Sequence, residues 1–532
     1  MTGGSSHVDW RSIPNAIDHT PWPKNRGLSK LFFFSSVLYM GQFLNGYDGT
    51  ITGGLQALPD WNKDLGYPSA GRIGLLNAAS YIVGVCMGPL NAWVVDKFGR
   101  KWPIRWYALA MIVGTVIGCV AGSQSGNTGY GLFVASRAII GSGVPVFLMA
   151  AQIVNQEMAH PRFRPQMAAY WDCNWVLGST VASFITFGTS YINSSWSWRI
   201  PYLIQLIPAL YMLVAVQFMP ETPRFLIANG KEEEAYRFFV DYHGNGDEED
   251  ELVKFEWREM KDTIEMEKGE KLGWTQLLKT RANVHRLGLV ALITTMPQLN
   301  GSTMISYYYS IILTQCGITG AGQITGIGAG LNMYSFILQC LGVYSLRYFG
   351  RRSMVLSTWP LLILGMAAMA ATSGVYQHSG PSDKGAGIAN VVMVWLYSTP
   401  WNYVSPIFYS YPAEILNYEI RGKGMAVWNT VNQGWGAYGS YVNSIALDSI
   451  GYKYYCVYIP ILALQWVLTY FFMVEVKGLT LEEIAIAFEG DSAAVARVDA
   501  RLVDGVSGGI GEGDDDEKKL GLSGASVIAP VI

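Results

Sequence analysis

The chain has 532 residues, of which 50% are hydrophobic and 14% charged, and its net charge is −3. A soluble chain of this length carries nearer ~25% charge, so the composition excludes an ordinary water-soluble protein and places the chain in a bilayer. The charge balance is close to neutral and no basic cluster stands out, which leaves no footprint for nucleic acid.

Residues 1–27 are polar and read as a cytoplasmic tail. The first apolar stretch, about 28–55, is too long for the core of a cleavable signal. It is long enough to cross a bilayer, which takes ~20 apolar residues. It runs uncharged through LFFFSSVLYM and then holds Asp48 within GQFLNGYDGTITGG. An ionisable group inside a membrane marks, by default, an ion or substrate path with a partner nearby. Further spans are predicted near 72–95, 102–122, 131–156, 166–190 and 199–219, completing a first bundle over 28–220. The charged stretch 221–285 reads as a water-exposed linker. Its segment EEDELVKFEWREMKDTIEM carries acidic and basic residues at i, i+4 spacing and is predicted to be helical. Six more spans follow near 286–313, 322–346, 353–374, 386–411, 421–446 and 452–474, a second bundle over 286–474. The tail from 475 to 532 contains GDDDEKK and many small residues and is expected to be cytoplasmic and largely disordered. The fold class is therefore an all-α membrane protein with twelve transmembrane helices in two six-helix bundles.

Lysine and arginine set the orientation. They cluster after the second, fourth, eighth and tenth spans, whereas GSQSGNTGYG and NSSWS on the opposite side carry no charge. Both termini and the linker are thus placed in the cytoplasm, and the sequon Asn193-Ser-Ser outside. Landmarks repeat between the halves. DKFGRK (96–101) ends the second span and RYFGRR (347–352) the eighth; Glu157 stands seven residues before Arg164, and Glu414 seven before Arg421. Related halves of this kind put a substrate near the midplane between them.

Catalytic chemistry has no foothold. The six histidines lie in tails, loops or segment ends, and no phosphate-loop or metal-ligand pattern appears. The six cysteines fall singly in apolar segments and read as small apolar fillers. No enzyme, cofactor or metal site is expected; a transporter or channel is. Asp48 lies about 20 residues into its span and Arg137 about 20 before Glu157, so at 1.5 Å per residue both sit ~30 Å from the inner surface. A contact at equal depth is feasible.

The motifs GYDGTITGG, DKFGRK, GSGVP, WRIPYLIQLIP, PETPRFL, ISYYY, FGRR, PAEILNYEIRGKG and VKGLTLEEI occur in order across about 28–485. In this the chain resembles a sugar porter of the major facilitator superfamily, of the fungal hexose and lactose permease kind. The resemblance implies alternating-access transport of a sugar with a proton at the plasma membrane, by a protein functional as a monomer. A passive facilitator and a non-transporting sugar sensor are the alternatives. Asp48 matches the proton-accepting aspartate of coupled members and Arg137 its partner; a permanent structural ion pair is the plainer reading. Gln298 matches a glutamine of the seventh span, with Pro297 in place of its companion. Thr303 stands at the usual asparagine, Tyr307 and Tyr308 match a tyrosine pair, Tyr409 stands at the usual tryptophan, and Asn432 matches a polar contact of the eleventh span. All are expected to bind substrate, although polar residues also link helices. Asp172 stands where the family carries glutamine or asparagine. It is expected to accept sugar hydroxyls, with proton coupling, a basic substrate group or a wet vestibule as alternatives. Asp96, Arg100, Glu157, Arg164, Arg224, Glu414 and Arg421 match the cytoplasmic gate network, from which Arg347 departs by replacing an acid.

Overall fold

The computed structural model describes residues 22–123, 126–269, 278, 280–315, 317–346, 348–379, 384–416, 418–477 and 488, and among them there is no strand. After a 3-10 turn at Trp22–Lys24, Asn25 starts α1 (Arg26–Leu55), its side-chain oxygen accepting the Leu28 N–H at 3.0 Å. Next come a short α2 (Pro59–Asp64), then α3 (Ala70–Phe98), α4 (Lys101–Ala121), α5 (Asn127–Met158) and α6 (Arg164–Thr189). The sixth span is split into α7 (Trp196–Ile204) and α8 (Leu206–Phe218). The linker holds α9 (Pro223–Ala228), α10 (Glu232–Tyr242) and α11 (Glu251–Gly269), the last on the stretch with alternating charge.

The second half repeats the plan. Its first span, expected as one piece, is broken into α12 (Arg281–Gln298) and α13 (Ser302–Gln315). Pro297 and the left-handed Gly301, at φ +92°, stop the helix between them. The Asn300 side chain accepts the Ser302 N–H at 2.8 Å and restarts it, while the Tyr397 hydroxyl holds the Asn300 carbonyl. Then follow α14 (Ala321–Ser345), α15 (Arg351–Ser379), α16 (Lys384–Ile415), α17 (Tyr418–Ile450) and α18 (Lys453–Phe472).

Among the described residues, seven segments are apolar enough along their length to be read as spans from composition alone: α3, α4, α5, α7 with α8, α14, α15 and α18. The five more polar spans are α1, α6, α12 with α13, α16 and α17. Each of those five contributes side chains to the cavity described below. Outward faces are aliphatic, as on α4, where Leu109, Val113, Val116 and Val120 are exposed at helical spacing.

Helices in a bilayer gain little from mutual hydrophobic burial and associate through close packing. At the α1–α6 contact, a Cβ on Gly46 would fall 1.8 Å from the Trp175 carbonyl oxygen, and one on Gly178 1.9 Å from that of Phe43. The two backbones touch at both points. The halves meet where α3 packs on α17, α6 on α14 and α1 on α13. The linker belongs to the first half. Phe238, Phe239 and Val253 join its core, and the Gly27 N–H donates to Asn245 Oδ1 at 3.0 Å. His243 bridges Glu256 Oε2 at 2.5 Å and the Met158 carbonyl at 3.3 Å.

Candidate functional site

Asp48 is 5% exposed and Arg137 2% exposed. The glycines that bring α1 against α6 carry Asp48 inward, and α5 brings Arg137 to the same depth. The pair is made end-on by one nitrogen: Arg137 Nη1 donates to both carboxylate oxygens of Asp48, at 2.6 and 2.7 Å. Arg137 Nε finds no acceptor. An end-on pair forgoes the second parallel bond of a fork-shaped one, so the guanidinium is held less rigidly than it could be.

Beside this pair lies a cavity of about 220 Å³ between the two halves. Gln298 of α12 donates through Nε2 to Asn432 Oδ1 of α17 at 2.9 Å, and Thr303 Oγ1 donates to Gln298 Oε1 at 3.4 Å. The helix break after Gln298 places these three polar groups together. Tyr409 lines the wall edge-on to Trp428, with ring centroids 5.9 Å apart. Tyr307 shares a hydroxyl–hydroxyl bond of 2.8 Å with Tyr81, joining the second half to the first. Its oxygen stands 3.8 Å from where a Cβ of Gly49 would lie, next to Asp48.

Tyr308 departs from the expectation. It is fully buried and does not line the cavity; its hydroxyl donates to the Ser440 carbonyl and accepts from Asn77 Nδ2 at 3.2 Å. The backbone kinks at Tyr308, at φ −125° and ψ 17°, and its hydroxyl is spent on α3 and α17 instead of the cavity. Asp172 does line it, with Oδ2 accepting from Gln339 Nε2 of the opposite half at 2.6 Å.

Sequence reasoning missed much of the wall. Asn332 takes the Ser179 hydroxyl at 2.9 Å and donates to Ser183 Oγ at 2.8 Å, a second polar tie across α6 and α14. Gln42, Gln152, Trp175 and Trp401 also line the space. Spacing is a usable signal here: Asn332, Ser335 and Gln339, at intervals of three and four, form one polar stripe on α14.

On the linker side, Arg100 Nη2 meets Glu157 Oε1 at 3.5 Å, with its guanidinium 5.2 Å from the Phe225 ring centre. Arg351 Nε meets Glu414 Oε2 at 3.2 Å. Both pairs lie within one half. Arg224 is half-buried at the start of α9. The side chains of Asp96, Arg164 and Arg421, and residue Arg347 altogether, lie outside the described residues. Two carboxylates were not foreseen. Glu221 takes the N–H groups of Arg100 and Lys101 at 3.2 and 3.3 Å, and Glu475 those of Arg351 and Arg352 at 2.9 and 3.0 Å. Glycine makes room for them: a Cβ on Gly99, which also takes a left-handed φ of +84°, would lie 2.7 Å from Glu221 Oε1, and one on Gly350 2.2 Å from Glu475 Oε2. Burial pushes the Glu221 carboxyl above the usual glutamate value, against the pull of the N–H groups and cations it faces.

Two related six-span halves around a central polar cavity define a membrane carrier of the major facilitator fold. The family model described as "Sugar (and other) transporter" matches residues 34–488. The chain belongs to this family, the sugar porters of the major facilitator superfamily. The low-affinity glucose transporter HXT4 of Saccharomyces cerevisiae (strain JAY291) is 26% identical over 478 residues, 85% of this chain and 80% of that protein. Hexose transporter HXT13 of S. cerevisiae (strain ATCC 204508 / S288c) is 26% identical over 491 residues, 88% and 85% respectively. These relatives are membrane transporters, not enzymes. Among solved structures, the xylose transporter XylE from E. coli, partially occluded and inward open, has a TM-score of 0.69 at 19% identity over 85% of this chain and 100% of that one. The proton:xylose symporter XylE bound to 6-bromo-6-deoxy-D-glucose has a TM-score of 0.69 at 21% identity, over 87% and 99%.

Proposed function

We propose that the protein carries a sugar across the plasma membrane together with a proton, by alternating access of one central cavity. The observation behind this reading is the buried, end-on Asp48–Arg137 pair beside a cavity of amides, hydroxyls and aromatic rings. A sugar offers hydroxyls and apolar ring faces, and a wall of this composition matches both. Gln298, Thr303, Asn432 and Asp172 hydrogen-bond the hydroxyls, while Tyr409 and the tryptophans cover the ring. Asp48 takes the proton; once neutral it releases Arg137, whose free charge then biases the halves toward their other arrangement. The Tyr81–Tyr307 bond links that event to α13, the helix that lies against α1. Tyr308 anchors α13 to α3 and α17. The linker and both termini face the cytoplasm, and one copy of the chain is the working unit.

The test is uptake of labelled mono- and disaccharides by cells lacking their own porters, with and without an uncoupler, for wild type and Asp48→Asn. Coupled transport accumulates sugar above the outside concentration, collapses with uncoupler and is lost in Asp48→Asn. The second reading, a passive facilitator, draws on the completeness of the pair, in which both Asp48 oxygens are already held. It expects uptake that only equilibrates and is indifferent to the uncoupler.

A further inference from the structure

The lining of the cavity carries an asymmetry of charge. Among its described residues Asp172 is the one charged side chain; the others are amides, hydroxyls, aromatic rings and small or aliphatic groups. Asp48 and Arg137 are not part of the lining, and each is occupied by the other. Asp172 is 7% exposed, its Oδ2 is fixed by the Gln339 amide at 2.6 Å, and among the described residues no ion pair reaches it. Among the described residues its Oδ1 accepts no hydrogen bond, and the side chain lines the cavity.

We propose, resting on the sugar-carrier reading above, that Asp172 makes the cavity a charge filter: it prefers a sugar bearing a protonated amino group over the neutral sugar and rejects sugar acids. A carboxylate only accepts hydrogen bonds, and an ammonium only donates them, with three N–H groups. A glutamine or asparagine at this position offers both donor and acceptor and has no such preference. The Gln339 donor uses one oxygen and leaves the other for the ligand, as a positioning contact does. A hydrogen bond between charged partners exceeds a neutral one by enough to give about tenfold in affinity. An anionic sugar would instead bring a second negative charge into a poorly hydrated space, where like charges repel strongly.

The test is competition in cells lacking their own porters. Uptake of whichever labelled neutral sugar (glucose, xylose or maltose) the protein carries best is inhibited by glucose, glucosamine, N-acetylglucosamine or glucuronate, at neutral outside pH, where both the carboxylate and the sugar ammonium carry charge. Wild type is expected to bind glucosamine about tenfold more tightly than glucose, N-acetylglucosamine no better than glucose, and glucuronate not at all. In Asp172→Asn the glucosamine preference should vanish and glucuronate should inhibit. Equal inhibition by glucosamine and glucose in wild type overturns the proposal, as does a preference unchanged in Asp172→Asn. If that variant fails to reach the membrane, the wild-type ratios decide alone, with N-acetylglucosamine as the uncharged control. Absence of uptake of every neutral sugar, with the protein at the surface, overturns the parent reading and this one with it.

Discussion

A single nitrogen of Arg137 holds both oxygens of Asp48, and that makes the two residues unequal under mutation. Asp48→Asn leaves a buried guanidinium with a neutral partner, whereas Arg137→Ala leaves a buried carboxylate with none. Breaking a buried pair costs about 3–5 kcal/mol, so both variants should melt earlier in detergent, Arg137→Ala by more. A thermal denaturation series on purified protein measures this. Tyr81 and Tyr307 form a bond that crosses between the halves. Tyr81→Phe and Tyr307→Phe should each lower transport, and the double variant should be little worse than either, with a coupling of about 1 kcal/mol. Uptake rates of the four proteins supply the cycle. At this scale the sequence was legible where a charge interrupts an apolar run, which is how Asp48, Arg137 and Asp172 stand out. Trp175 and Trp401 were not, because an uncharged residue in a span looks the same whether it faces a cavity or a neighbouring helix; Asn332 shows only through its spacing to Ser335 and Gln339. Tyr308 shows the converse: it stands beside Tyr307 in the sequence, yet its hydroxyl is spent on Ser440 and Asn77 away from the cavity.

Among the elements, α1 and α6 form the tightest seam, and it is also the seam that positions Asp48. Gly46→Ala or Gly178→Ala places a methyl group within 2 Å of a carbonyl oxygen. Overpacking typically costs about 1–3 kcal/mol, and here rigid backbone is struck. Surface expression should fall, and the surviving protein should lose uptake through displacement of Asp48. Expression and uptake measured together separate the two effects. Apolar length made the spans legible, and seven satisfy it outright. The remaining five are weakened by polar residues, many of them in the cavity wall, although α14 keeps its apolar signal while carrying a polar stripe. The break between α12 and α13 is a separate case. Pro297 and Gly301 are both visible in the sequence, but which of many prolines and glycines stops a helix depends on contacts such as Tyr397 with Asn300.

Over the whole molecule, the two halves repeat to the level of single hydrogen bonds. Gly99, Arg100, Glu157 and Glu221 in the first correspond to Gly350, Arg351, Glu414 and Glu475 in the second. The glycine–arginine and glutamate landmarks were readable as a repeat; Glu221 and Glu475 were not, since each acts on backbone N–H groups more than a hundred residues away. Burial raises the Glu221 carboxyl above its unfolded value of 4.5. Its contribution to stability is therefore full below 4.5 and lost as pH rises through the raised folded value. The melting temperature of wild type relative to Glu221→Gln should accordingly shift in favour of wild type as pH falls through that window. The same two carboxylates have a mechanical consequence. Each lies beyond the last span of its half and fastens back onto the start of the third, like a strap buckled to its own belt. A half so buckled does not need the other to keep its shape. A chain cut between α11 and α12 and expressed as two pieces should reassemble and take up substrate, and unbuckling either piece, by Glu221→Ala or Glu475→Ala, should cost the split protein more than the intact one.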